Sequence, residues 1–187
     1  MTFGPLLVAG LLAATSPAVS DVRDVAIRLE PAAAASAPVA GSIAPDFTFQ
    51  SHDYLWQRLH NLLEQGDVLL VFGANDDELR ALERDHESLL RAGIVAVGVT
   101  SDDEAGAWRT IRRCNLTYSL LADPHAAIAR PYGATIGATN RLRGTWCLID
   151  RSGHVRGTGE GAGPAAGWPA LAQAVLGRSD LKTAAAR

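Results

Sequence analysis

The sequence predicts an α/β domain built around a mixed sheet, and three observations carry that expectation. Residues 68–72 and 94–99 are short apolar runs rich in β-branched side chains, without the polar alternation of a half-exposed strand, so each reads as a strand covered on both faces. Between them, residues 77–91 place Leu79, Leu82, His86, Leu89 and Leu90 along one side of a helix. Farther on, residues 145–149, the turn Asp150-Arg151-Ser152-Gly153 and residues 154–156 read as a β-hairpin.

Each element has its own local signals. Phe3 to Ala14 is an apolar run as long as a signal-peptide core, followed by small residues at Ala18-Val19-Ser20, so residues 1–20 are expected to form a signal peptide and the chain to be exported or periplasmic. Without that signal the expectation is a cytoplasmic protein. Ser16 and Pro17 interrupt the run short of the roughly 20 residues that a bilayer needs, so no stable membrane span is expected. Residues 21–40 read as an extended Ala/Pro-rich linker, in which 21–30 suit a short strand or arm, and the folded domain is expected over 41–178 with a flexible tail at 179–187.

Residues 44–50 alternate after a proline and suit an edge strand or an N-terminal hairpin. Residues 54–64 read as a helix carrying Leu55, Trp56, Leu59, Leu62 and Leu63 inward, with Asp53 as cap and Gly66 as stop. Trp56 is therefore expected to pack in the core or under a lid, ahead of serving as a ligand platform. For the helix at 77–91, Asn75 is the cap, Glu78 returns the capping bond, and Gly93 follows the end.

A second capping box, Ser101 with Glu104, is expected to open a helix to Arg113 that buries Ala105, Trp108 and Ile111, with Asn115 closing it. Residues 118–122 read as a strand. Asp123-Pro124 opens a short helix over 126–132, disturbed by Pro131 and released by Gly133, and residues 134–142 read as a mobile stretch. Gly157 to Gly167 reads as loop, and 168–176 as the last helix with Pro169 in its first turn and Gly177 beyond it. The first three sheet strands are expected to be mutually parallel and the last pair antiparallel.

Composition excludes several functions. Apolar residues make up 48% and charged residues 20%, which is not the balance of a disordered chain. Seventeen Lys and Arg against twenty Asp and Glu leave a net charge of −3, with no basic cluster denser than Arg109, Arg112 and Arg113, so no nucleic-acid partner is expected. The two cysteines, Cys114 and Cys147, form no Cys-x-x-Cys pair, and His52, His60, His86, His125 and His154 lack ligand spacing, so no metal and no cofactor is expected.

Two parallel βα units followed by a hairpin and a final helix are the layout of a thioredoxin-like fold. Gly41-Ser-Ile-Ala-Pro-Asp-Phe47, Val68-Leu-Leu-Val-Phe72, Val95-Ala-Val-Gly-Val-Thr100, Leu121-Ala-Asp-Pro124, Tyr132-Gly133 and Arg143-Gly-Thr-Trp-Cys-Leu-Ile-Asp-Arg-Ser-Gly153 resemble, in order, the landmarks of the peroxiredoxin family, in its alkyl hydroperoxide reductase/thiol-specific antioxidant (AhpC/TSA) branch. The resemblance spans about residues 41–176 and implies a peroxiredoxin-type central mixed sheet flanked by helices.

The resemblance also implies a thiol peroxidase site, in which a Pro-x-x-x-(Thr/Ser)-x-x-Cys stretch follows the first central strand and an arginine approaches from a later strand. Here that stretch is Phe72-Gly-Ala-Asn-Asp-Asp-Glu-Leu-Arg-Ala81, with no proline, threonine or cysteine. Asn75, Asp76, Asp77 and Glu78 stand where the nucleophile is expected, and a carboxylate does not reduce a peroxide. Arg143 matches the family's arginine and is expected to approach Asn75 and Asp76 and to pair with Asp76 or Asp77 in preference to binding an anion.

No catalytic residue is therefore assigned, and the expected function is a degenerate, binding or structural module with an unidentified protein partner or a homodimeric form. The alternative is an atypical antioxidant oxidoreductase using Cys114, whose neighbours Arg112 and Arg113 would favour a thiolate while the helix end opposes it. Cys147 reads as a buried, unreactive thiol, too far from Cys114 for a disulfide.

Overall fold

The computed structural model describes residues 37–50, 56–134, 142–161, 163–164 and 166–177. The expected signal peptide, nearly all of the linker, the interior of the 134–142 stretch and the tail lie outside the described residues. Among the described residues no helix is long and apolar enough to cross a membrane.

The chain forms β1 (Thr48–Gln50), β2 (Trp56–Arg58), α1 (Leu59–Gln65), β3 (Asp67–Phe72), α2 (Asp76–Arg91), β4 (Ile94–Thr100), α3 (Glu104–Cys114), β5 (Ser119–Ala122), a 3-10 turn at Arg130–Tyr132, β6 (Thr145–Ile149), β7 (Val155–Glu160) and α4 (Trp168–Leu176). The main sheet has the order β5-β4-β3-β6-β7. Strands β3, β4 and β5 are mutually parallel, while β6 is antiparallel to both β3 and β7. Every residue of β3 is buried, as its unbroken apolar run requires at the centre of a sheet.

Side chains alternate across the sheet and build two cores. Leu69, Val71, Ala96 and Leu148 face α2, α3 and α4, where Leu79, Leu82, Leu89, Ala107, Trp168 and Ala172 meet them. Val68, Leu70, Phe72, Val97, Val99 and Cys147 face the other way, onto α1, the β1–β2 hairpin and the Tyr132 turn.

The observed α2 follows its sequence signals closely. Asn75 accepts from the Asp77 and Glu78 N–H groups, and Glu78 takes the Asn75 N–H at 2.7 Å. Leu79, Leu82 and Leu89 are buried, whereas Leu90 is exposed, and His86 lies half-buried with its ring against Tyr118 and its Nδ1 2.9 Å from Thr117 Oγ1.

Several expectations are corrected. The helix expected over 54–64 starts only at Leu59, because residues 56–58 pair with β1 as a hairpin that sets Phe49 into the core. Trp56 consequently lies on a strand and is 72% exposed rather than packed in the core. The cap of α3 is Asp103, whose carboxylate takes the Gly106 N–H at 2.7 Å, so the expected Ser101–Glu104 box does not form. The side of α3 that docks on the sheet carries Gly106, Ala107, Thr110 and Cys114, leaving Ala105 and Trp108 on the exposed side and Ile111 half-buried.

The helix expected over 126–132 reduces to turns and the short 3-10 segment, since Ala126 adopts φ +53°, outside the helical region, and Pro131 lacks an N–H. The glycine-rich stretch after Arg156 continues β7 to Glu160 instead of forming loop. Its glycines are a packing requirement: Gly159 is the cross-strand partner of Trp146, and a Cβ there would lie 2.6 Å from the indole.

The hairpin turn is held by Asp150, which accepts from the Ser152 N–H, Ser152 Oγ, the His154 N–H and Arg156 Nε. Burial pushes its pKa up, but these donors outweigh burial and hold the carboxyl below its ordinary value. A depressed folded-state pKa gives stability that is present above the unfolded pKa of about 3.9 and lost as pH falls through the lower folded value. Asp150→Asn should cost about 2 kcal/mol at pH 7, because the amide accepts fewer of these bonds. In urea melts that deficit should hold above about pH 5 and shrink below about pH 4; an equal deficit at pH 7 and pH 3 would disprove the ionic origin.

Candidate functional site

A polar cleft of about 630 Å³ opens at the carboxyl ends of β3 and β4, where the thioredoxin-like layout places chemistry. Gly73, Asn75 and Asp76 at the start of α2, Asp102 before α3, and Thr110 and Arg113 of α3 line it. Gly73 sits there with φ +62°, packed against the Leu142 backbone, and it turns the chain from β3 into α2 within three residues.

The last turn of α3 meets the first turn of α2. Arg113 Nε and one terminal nitrogen donate to the two Asp76 carboxylate oxygens at 2.6 and 2.8 Å, a bidentate fork, and Arg113 also donates to Thr110 Oγ1 at 3.0 Å. Arg80 lies 4.0 Å from Asp76 and 3.2 Å from Asp77. The Arg113 hydrogen bond is the main reason that the Asp76 pKa falls below its ordinary value, overcoming its partial desolvation. Asp76 is therefore an ionised, occupied carboxylate at neutral pH, unsuited to shuttling a proton.

This arrangement corrects the expected Arg143 pairing. Within the 4.0 Å limit for an ion pair, the described partners of Asp76 are Arg113 and Arg80 and that of Asp77 is Arg80; Arg143 pairs with neither. Leu142, the residue before Arg143, lines the cleft instead. The physical reason is reach: Asp76 points at α3, whose Arg113 presents a planar fork across the helix junction. In the sequence, Arg113 stands out as a neighbour of Cys114 and as part of the loose cluster with Arg109 and Arg112, not as a partner of Asp76. Its signal was an arginine in the last turn of α3 and an aspartate in the first turn of α2, each placed where its own helix dipole favours it.

The two sulfurs lie on opposite sides of the sheet, Cys147 in the core facing α1 and Cys114 in the core facing α2, and both are free. Burial pushes the Cys147 thiol up to about 12. Cys114 Sγ lies 3.9 Å from the Asp76 carbonyl oxygen, behind the first turn of α2. Burial, then the Asp76 charge, raise the Cys114 pKa, and the pull of Arg80 and Arg113 does not compensate. The expected activation by Arg112 and Arg113 thus fails because Arg113 is committed to Asp76 and Arg112 points outward. Among the described residues no group of His, Cys, Asp and Glu is arranged to hold a metal.

A second, more apolar groove of about 680 Å³ runs along β5, the edge strand, between Trp56 on one side and Trp108 of α3 on the other, over Leu120 and Ala122.

The sheet order, the helices on both faces and the cleft at the β3–α2 junction define a thioredoxin-like, peroxiredoxin-type α/β fold. Residues 40–158 match the AhpC/TSA family model, more than half of the chain, and the chain belongs to that family. Among solved structures it is similar to peroxidoxin BcpB from Mycobacterium tuberculosis, with TM-score 0.63 and 19% identity over 78% of this chain and 97% of that one. It is also similar to a putative thiol:disulfide interchange protein DsbE from Chlorobium tepidum, with TM-score 0.62 and 24% identity over 75% and 98%. Enterococcus faecalis AhpC aligns with TM-score 0.59 and 17% identity over 80% and 98%. At these identities the likeness establishes the fold. No curated protein matches.

Proposed function

We propose that this AhpC/TSA-family chain is a thioredoxin-fold binding module that has lost thiol peroxidase chemistry. The observation that carries the reading is Asp76: where the family's resemblance places a nucleophilic thiolate, the first turn of α2 holds a carboxylate bidentately bound by Arg113. A thiolate attacks peroxide because it is a free, polarisable nucleophile, whereas an ion-paired carboxylate offers no equivalent electron pair. A protein partner is the class of ligand this reading implies. Export belongs to the same reading, supported by the apolar run at 3–14 and the small residues at 18–20.

Purified protein given a thiol reductant and hydrogen peroxide should consume peroxide no faster than buffer, and Cys114→Ser should change nothing. Cysteine-dependent turnover would overturn the proposal. One observation favours a second reading, an atypical thiol antioxidant: Cys114 Sγ lies directly behind the α2 turn. Its raised pKa weighs against it. Sulfenic-acid trapping after limiting peroxide, with label present in the natural sequence and lost in Cys114→Ser, would establish that second reading in place of the first.

A further inference from the structure

The β5 edge of the main sheet has room and bonding groups for one more strand, and we propose that it binds an extended peptide segment of a partner protein, antiparallel to β5, with a lysine or arginine set against Glu104. Strand β5 ends the order β5-β4-β3-β6-β7. Successive residues of a strand turn their backbone groups to opposite sides: Asp123 donates its N–H to the Thr100 carbonyl at 2.8 Å, so Leu121, two residues earlier, also turns toward β4. Leu120 and Ala122 therefore turn their N–H and C=O groups outward, where no strand among the described residues receives them. Proteins commonly blunt such an edge with a lysine, a proline or a bulge. Ser119-Leu120-Leu121-Ala122 has none of these, whereas the opposite edge is partly covered where Val155 bonds with Gly41 and Ser42.

The edge forms the floor of the apolar groove, and the groove's two walls suit the alternating side chains of an added strand. Leu120 and Ala122 share the sheet face covered by α3, while Leu121 belongs to the other face, with Phe49. A peptide residue opposite Leu120 or Ala122 therefore meets Trp108 and Ile111, and the residue between those two meets Trp56. Trp56 and Trp108 are 72% and 38% exposed, and tryptophan is among the side chains that anchor interfaces best.

Charge fixes the direction. Helix α3 runs opposite to β5 in the β4-α3-β5 crossover, so its first residue, Glu104, stands at the carboxyl end of β5. Antiparallel pairing, the more stable per residue, brings the amino-terminal side of a peptide to that end. Glu104 is exposed and has no hydrogen-bond or ion-pair partner among the described residues. The groove lining contains no lysine or arginine, and its other carboxylate, Asp123, is occupied by the N–H groups of Ala127, Ile128 and Ala129. The counter-charge therefore has to come from the ligand. A second copy of this edge brings none, and a small apolar molecule leaves the outward backbone groups unmatched, whereas an added strand matches them. The fitting pattern is a basic residue, any residue, then three apolar residues, the first and third facing Trp108 and the second facing Trp56. A protein ligand is the part taken from the binding-module reading, on which this docking rests; the loss of peroxidase chemistry is not needed for it. Peroxide turnover would thus overturn that loss and leave strand addition standing, while a peptide that fails to bind would do the reverse.

Fluorescence anisotropy with the full chain and the labelled peptide Arg-Thr-Val-Tyr-Val-Thr, blocked at both ends, should give a Kd on the order of 10 μM, and no binding at about 1 mM would overturn the proposal. N-methylation of either valine, whose N–H then cannot meet β5, should cost about tenfold or more, while N-methylation of the tyrosine, whose N–H points away, should change little. Equal effects at the two kinds of position would rule out strand addition. Glu104→Arg should weaken this peptide about tenfold and favour, by a similar factor, one with glutamate in place of its arginine; a change of the same sign for both peptides would overturn the charge contact. Trp108→Ala should weaken binding about tenfold with far-UV circular dichroism unchanged, and an unaltered affinity would count against the groove. An affinity that falls as the chain concentration rises would mean that a second copy holds the edge, and would replace the peptide by self-association.

Discussion

Asp123→Ala should destabilise the protein by about 4 kcal/mol, the largest effect expected of any polar side chain here. Asp123 is buried to 4% exposure directly after β5, and its carboxylate accepts the N–H groups of Ala127, Ile128 and Ala129 at 2.7, 3.0 and 2.8 Å. Those donors belong to turns with no helical ladder of their own, so without the carboxylate they have no replacement acceptor, and a buried unsatisfied donor costs about 1–3 kcal/mol. The damage then spreads by packing: Ile128, Ala129 and Tyr132 belong to the core that covers Phe72, and the Tyr132 hydroxyl donates to the Pro45 carbonyl at 2.6 Å. Asp123→Asn, whose single carbonyl oxygen can take the Ile128 and Ala129 bonds that now share Oδ2, should cost about half as much. Urea denaturation of the three proteins measures this directly, and an alanine variant that loses less than about 1 kcal/mol would refute the account.

Gly73→Ala should cost about 3 kcal/mol, from two sources that a control can separate. The residue's φ of +62° penalises any side chain by roughly 1–2 kcal/mol. The added Cβ would also collide with the Leu142 backbone, within 2.6 Å of its carbonyl carbon and closer still to the oxygen, and backbone does not swing aside as a flexible side chain would. Gly177, at the end of α4, has φ +65° with nothing within 4 Å of its notional Cβ, so Gly177→Ala carries the conformational cost alone, about 1 kcal/mol. Equal losses in the two variants would show that the approach of Leu142 to the β3–α2 junction does not constrain the cleft.

The main sheet was legible wherever local pattern and tertiary demand agree. The β3 run can be satisfied only by burial on both faces, and the Asn75–Glu78 box and Gly93 punctuate α2 with bonds that close within a few residues. The landmark segments likewise carried family and fold, because they sit at turns and strand starts whose geometry is set by nearby residues.

What depended on distant partners was misread. Trp56 has helical spacing with Leu59 and Leu63, yet pairing with Thr48–Gln50 made it a strand residue, a choice only the partner strand could decide. Gly157 and Gly159 look like loop until the Trp146 ring is placed against them. The carboxylates at 76–78 were plain from the sequence, but the partner of Asp76 was not, since an ion pair depends on the direction in which two helices aim their side chains. The sequence by itself determined that the first turn of α2 carries Asp76, Asp77 and Glu78 and no cysteine, because side-chain chemistry follows from residue type. Only the tertiary structure decided that Arg113, 37 residues away, rather than Arg143, pairs with Asp76, because that choice depends on how α3 lies against α2, which no local pattern encodes.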